Sequence, residues 1–209
     1  MKRTHLTAAL LACTLLAAPA ALADTMTYDG SDLTSSVTFH GAGLITDGAT
    51  MDVGRYQITY QDTAYEAYCV DADHWLSTTE VTEQSIDSLT NGGLVAYLYE
   101  TYAPAVTDGT AAAALGVAIW EVIHENVEPA FDITSGRVYI TGNDPVVQAA
   151  NAMLATLPGS YESTTDLIVL HSDEHQDLLI SSVSVPEPVS LALLAVGAPL
   201  AVLRGRRRR

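Results

Sequence analysis

Lysine is almost absent from this chain. Among its 209 residues Lys2 is the single lysine, and there are 9 basic residues in all against 25 acidic ones. Even these few are gathered at the ends: Lys2 and Arg3 open the chain, and Arg204 and Arg206 to Arg209 close it. Only Arg55 and Arg137 stand between Asp24 and Val185, a stretch that holds every acid except Glu187. The middle of the chain is therefore more acidic than the formal net charge of −16 indicates. Such a surface repels nucleic acid and anionic membrane, and attracts divalent cations, basic partners or a counterion cloud. Solubility in a salty medium, where screening shrinks the self-repulsion, explains it without any dedicated site. No Asp-x-Asp-x-Asp-Gly loop is present; Asp71-Ala72-Asp73 is the nearest approach and lacks the remaining calcium ligands. Neither a metal nor any other cofactor is expected. Cysteine is equally scarce, with Cys13 and Cys69 alone.

What is present at the N-terminus is a basic start followed by an apolar run from Leu6 to Ala20 and the small residues Ala21 and Ala23. This is the layout of a secretory signal peptide over residues 1–23, cut after Ala23. Leu10-Leu11-Ala12-Cys13 loosely matches a lipoprotein box, but the apolar run continues past Cys13, where a lipoprotein turns polar. Removal of the signal leaves Cys69 as the lone thiol, so an intramolecular disulfide is excluded although the compartment permits one.

At the other end Val189 to Leu203 is uncharged and mostly apolar, interrupted by Pro199. Fifteen helical residues span about 22 Å, short of the roughly 30 Å hydrocarbon core. That is marginal for a permanent span and adequate for a transient anchor held by snorkelling arginines. The arginines favour the cytoplasmic side and place the preceding domain outside. Pro186-Glu187-Pro188 stands before this run, and Arg204, Arg206, Arg207, Arg208 and Arg209 follow it. A Pro-Glu-Pro signature, a short hydrophobic helix and an arginine cluster, in that order, resemble the PEP-CTERM sorting tail. The resemblance covers residues 185–209, and a plain tail anchor is the other reading. It implies an exosortase as partner in the inner membrane, signal peptidase at the other end, and delivery to the cell surface or an exopolysaccharide matrix. The expected organisation is a signal at 1–23, an acidic ectodomain at 24–180, a linker at 181–188, and a helix with its arginine tail at 189–209.

The ectodomain has the length of one domain with its own core. Ser36 to His40, Asp52 to Tyr60 and Ala64 to Val70 read as strands, with β-branched and aromatic residues between Gly, Asp and Thr turns. Leu94, Tyr97, Leu98 and Tyr102 then fall at helical spacing. A second helix, capped by Thr110, carries Leu115, Ile119, Val122 and Ile123 on one stripe. A third opens at Asn143-Asp144-Pro145 and runs to about Leu157. Asp166 to Leu170 and Leu178 to Val183 complete the pattern as strands. The predicted class is α+β: mostly antiparallel strands with a three-helix insertion.

Tyr68-Cys69-Val70-Asp71, then Gly92-Gly93-Leu94-Val95-Ala96-Tyr97, then Leu115-Gly116-Val117-Ala118-Ile119-Trp120-Glu121, and finally Ile133-Thr134-Ser135-Gly136-Arg137 occur in this order. Over residues 52–158 the series resembles the thioester domains of bacterial surface proteins. The resemblance implies a cysteine whose sulfur condenses with a glutamine carboxamide, releasing ammonia and leaving an acyl group that a target amine attacks. The family's glutamine stands two residues before the alanine of Ala-Ile-Trp. Here that position is Gly116, which has no carboxamide, so the sequence looks like a thioester domain without its thioester. Glycine inside a helix costs about 1 kcal/mol relative to alanine and marks close approach of another element, here expected to be the strand bearing Cys69. Cys69 itself reads as a small buried residue, and Trp120 as core.

Other chemistry is weaker. Gln57 and Gln61 precede Cys69 by one strand and are candidate acyl partners across a hairpin. Cys69 with His74 and Asp71 or Asp73 has the atoms of a cysteine hydrolase, although with a base on the same loop. His171 and His175, with Asp173 and Glu174, would share a strand face and offer two zinc ligands but no third. His124, beside Glu121 and Glu125, is expected on a solvated helix face. The expectation is thus a non-enzymatic surface or matrix protein that adheres noncovalently, to exopolysaccharide or another surface ligand. A covalent adhesin and a cysteine hydrolase are the alternatives.

Overall fold

A computed structural model describes residues 23–41, 44, 46–125 and 131–182. The elements run β1 (Asp24–Gly41), β2 (Thr50–Tyr60), β3 (Thr63–Cys69), β4 (Thr79–Ser85), α1 (Gly92–Tyr102), α2 (Gly109–His124), β5 (Val138–Thr141), α3 (Asp144–Leu154), β6 (Leu167–His171) and β7 (Leu178–Ser181). The class is the expected one, α+β with antiparallel strands and three helices. The signal segment up to Leu22 and the whole Pro-Glu-Pro and arginine tail lie outside the described residues. Among the described residues no helix is long and apolar enough to cross a membrane.

The strands follow the order β2-β3-β7-β6-β4-β1-β5, and β1 also pairs with β2, so six of them close into a ring from which β5 extends. β1 makes this possible because it serves three neighbours. Its start pairs with β4 (Met26 with Thr79), its length with β2 (Met26 with Tyr60 through Thr38 with Thr50), and its end with β5. Register shifts at Tyr28/Gly30 and Ser31/Leu33 bend it on the way. β2 returns into β3 through Gln61 and Asp62, both left-handed (φ 48° and 58°), the geometry of a two-residue hairpin whose twist matches its strands.

The stretch read as Ser36 to His40 is the end of the much longer β1. β4 and β5 were not foreseen: β4 buries only Val81, so it lacks an apolar alternation, and β5 has four residues. Asp108, not Thr110, caps α2, its carboxylate accepting the Ala111 N–H at 2.9 Å. Asn143 caps α3 as expected, but that helix ends at Leu154 rather than near Leu157.

α2 is the axis of the core. Every residue from Ala112 to Val122 is buried, so the single apolar stripe expected of it is instead a helix enclosed all round. It lies on β1 and β2, with α1 and α3 packed against it. Small residues permit the closest approach: a Cβ on Gly109 would strike the Thr34 carbonyl oxygen at 2.1 Å, and Ala112 and Gly116 follow on the same face, over Gly54 and Val53.

Candidate functional site

Cys69 ends β3, paired with Leu178 of β7, and is buried. Its thiol points at the Asp71 carbonyl oxygen, 2.9 Å away. Burial pushes the thiol far above its ordinary ionisation range, against the opposing pull of the Asp71 backbone and the Trp120 indole N–H. A thiol held neutral in this way is a poor nucleophile. Trp120 is the residue of α2 that meets the sulfur; it is also buried, and its ring sits edge-on to Phe39 with centroids 5.2 Å apart.

Gly116 lies one helical turn before Trp120, and its environment differs from expectation. A Cβ there would come within 2.9 Å of Val53 Cγ1, with Gly54 backbone atoms at 3.8 and 4.0 Å. The close approach is therefore to β2, not to the Cys69-bearing β3. Val53 fills the space in which a side chain at 116 would begin.

The other candidates separate from Cys69. Gln57 pairs with Glu66 in the β2–β3 ladder and hydrogen-bonds Asp32, while Gln61 sits in the turn and donates to the Tyr60 hydroxyl. Neither is brought to the sulfur, and no glutamine hydrogen-bonds to it among the described residues. His74 binds the Asp71 carboxylate through Nδ1 at 2.6 Å, which raises its pKa, and no imidazole hydrogen-bonds to Cys69 either. β6 ends at His171, so the shared strand face expected for His171 and His175 does not form. His171 instead holds Asp177 at 2.8 Å and Asp173 at 3.4 Å. No cluster of three or more His, Cys, Asp or Glu suited to a metal occurs among the described residues.

The solvated face expected around His124 is also corrected. His124 is half-buried, its Nε2 has no hydrogen-bond partner, and burial, reinforced by Arg137, lowers its pKa. Glu121 is 1% exposed; one oxygen accepts the Asp132 N–H at 2.7 Å and the other has no partner. Burial raises this carboxyl to about 7, against the Asp132 N–H and helped by the nearby charges of Glu125 and Asp132. Glu125 accepts the Val138 N–H at 2.8 Å, tying the end of α2 to β5.

No protein-family model and no curated protein matches the chain. Among solved structures it is similar to the N-terminal thioester domain of the fibronectin-binding protein SfbI from Streptococcus pyogenes, at 14% identity and TM-score 0.42, over 63% of this chain and 86% of that one. It is also similar to the N-terminal thioester domain of a Clostridium perfringens surface protein, at 14% identity and TM-score 0.38, over 63% and 89%. The N-terminal domain of the Streptococcus pyogenes pilus tip adhesin Cpa gives 12% identity and TM-score 0.39, over 74% and 98%. At these values the likeness carries no conclusion about chemistry, which rests on the site itself.

Apart from the Cys69 site, and not foreseen, is a cavity of about 660 Å³ whose lining includes Arg55, Tyr68, Tyr99, Glu100 and Tyr161. Its sequence signals were Arg55, one of two Arg or Lys residues between Asp24 and Val185, and Tyr68, beside Cys69 in the motif.

Proposed function

We propose that the chain is an exported surface or extracellular-matrix protein, sorted by a PEP-CTERM tail, whose acidic domain adheres noncovalently and has no thioester. Signal peptidase and an exosortase are its partners during export, and the C-terminal helix holds it in the membrane until processing. The observation that carries the noncovalent reading is the packing at Gly116: Val53 Cγ1 stands 2.9 Å from where a first side-chain atom would lie. The burial of Cys69 supports it, since a thiol held neutral is a poor nucleophile toward a carboxamide.

Intact-mass spectrometry of the exported protein, with maleimide labelling before and after denaturation, tests this reading. The expected result is the unmodified mass, slow labelling in the native state because Cys69 is buried, and complete labelling once unfolded. A mass lower by one ammonia, with Cys69 blocked until an amine is added, would mean that a non-motif glutamine has acylated the sulfur and that the covalent reading is right.

A further inference from the structure

Tyr68 and Cys69 are consecutive on β3 and so leave opposite faces of the strand. Where Cys69 turns to α2, Tyr68 turns to α1, its ring edge-on to Tyr99 with centroids 5.9 Å apart. It is 1% exposed, forms part of the cavity wall, and its hydroxyl has no hydrogen-bond partner. Buried hydroxyls are normally paired, so one left unpaired within a cavity wall marks that wall as able to take a polar partner. The cavity, about 660 Å³, lies within the usual range for small-molecule sites.

The charged groups around it are already committed. Arg55 is shared between Asp32 and Glu66, with Glu66 at 3.0 Å. The Glu100 carboxylate receives the hydroxyls of Tyr161 at 2.8 Å and Ser163 at 2.6 Å, and the N–H groups of Thr164 and Thr165. Although partial burial works the other way, these donors together hold it ionised, down at about 2. An anionic guest would meet Glu66 and Glu100, and a cationic one would have to displace Arg55 from Glu66 or the donors already bound to Glu100. A neutral guest rich in hydroxyls meets neither penalty. It supplies both donors and acceptors to fixed polar groups, while its C–H faces lie on the half-buried rings of Tyr99 and Tyr161 and on Pro104.

We propose that this cavity binds a short stretch of neutral saccharide, with the Tyr68 hydroxyl closing a hydrogen bond to it. The proposal rests on the noncovalent reading above and names its ligand class.

The test uses the full chain, exported and processed, titrated with cellotetraose, laminaritetraose and α-1,6-mannotetraose. Tetragalacturonate and a chitosan tetramer serve as charged counterparts. Amide resonances of Thr164, Thr165 and Ser181 are followed by NMR. Saturable shifts at these amides with at least one neutral probe are expected, together with weaker shifts from both charged probes. Tyr68→Phe removes only the unpaired hydroxyl, so it should leave the melting temperature unchanged or raise it while weakening saccharide binding about tenfold. Shifts confined to other amides, a preference for a charged probe, an affinity unchanged by Tyr68→Phe, or no shift with any neutral probe would each overturn the proposal. Retention of the protein on extracted matrix is measured in parallel. Matrix retention without saccharide shifts would sink the cavity assignment alone; saccharide shifts without matrix retention would sink the adhesion reading alone.

Discussion

Gly116→Gln is expected to destabilise the protein by about 3 kcal/mol and to form no cross-link. The substitution restores the side chain that the thioester resemblance calls for, but its first carbon would already press on Val53 Cγ1 at 2.9 Å. Val53 is β-branched and stiff, and it sits on a strand that packs directly against α2. Forcing extra atoms into such a contact costs about 1–3 kcal/mol, and a buried carboxamide without partners adds about 1–3 kcal/mol. Relief of the glycine penalty in the helix returns at most about 1 kcal/mol. The melting temperature should fall by roughly 6–12 °C. Val53→Ala alone should cost about 2 kcal/mol through the cavity it leaves. Combining the two should cost at least about 1 kcal/mol less than their sum, because each removes the other's difficulty. Denaturant titrations of the four proteins measure this coupling. Strict additivity would mean that Val53 is not what excludes a side chain at position 116.

Glu121→Gln should change the pH dependence of stability more than any other single carboxylate substitution in the core. The folded protein holds this carboxyl up at about 7, from an ordinary 4.5. Below pH 4.5 both folded and unfolded chains are protonated at this position, and it contributes no pH dependence. Between about 4.5 and 7 the unfolded chain releases its proton while the folded one keeps it. The wild type therefore loses stability as pH rises through this window, by about 3 kcal/mol in all. Glutamine keeps an oxygen for the Asp132 N–H and cannot ionise, so the variant should match the wild type near pH 4.5 and exceed it at pH 8. His74 and His171, whose pKa values are raised by Asp71 and Asp177, act within part of the same range. Their contribution, lost as pH climbs through their folded values, cancels in the difference between the two proteins. A difference that stays flat from pH 4.5 to 8 would show that Glu121 ionises normally in the folded state.

The contrast between these two positions marks what could be read from the sequence. α2 was legible because Leu115, Ile119, Val122 and Ile123 fall at helical spacing, and a glycine among them announced a close neighbour. Which strand supplied that neighbour was not legible, because periodicity places a residue on a face and says nothing of the register between helix and sheet. Glu121 was misread because a carboxylate beside another at Glu125 and a histidine at His124 has the composition of a solvated face. The chain returns to it at Asp132, whose N–H it accepts. β4 was missed because only Val81 is buried and its other positions carry Thr, Glu, Gln and Ser. The cavity draws Arg55, Tyr68, Glu100 and Tyr161 from four separated segments, so no local pattern could announce it.

The place of β7 in the ring bears on how the domain carries force. Ser181 ends a strand bonded to β3 on one side and β6 on the other, and Ser182 is held in turn by the Asp166 carbonyl. A pull on the residues that follow enters the domain lengthwise along β7, with hydrogen bonds lying across the line of tension on both flanks. Those bonds must shear together instead of peeling one at a time. Tyr68 stands directly opposite Leu179, so a load between the C-terminal segment and a guest held at Tyr68 would pass through the β3–β7 ladder.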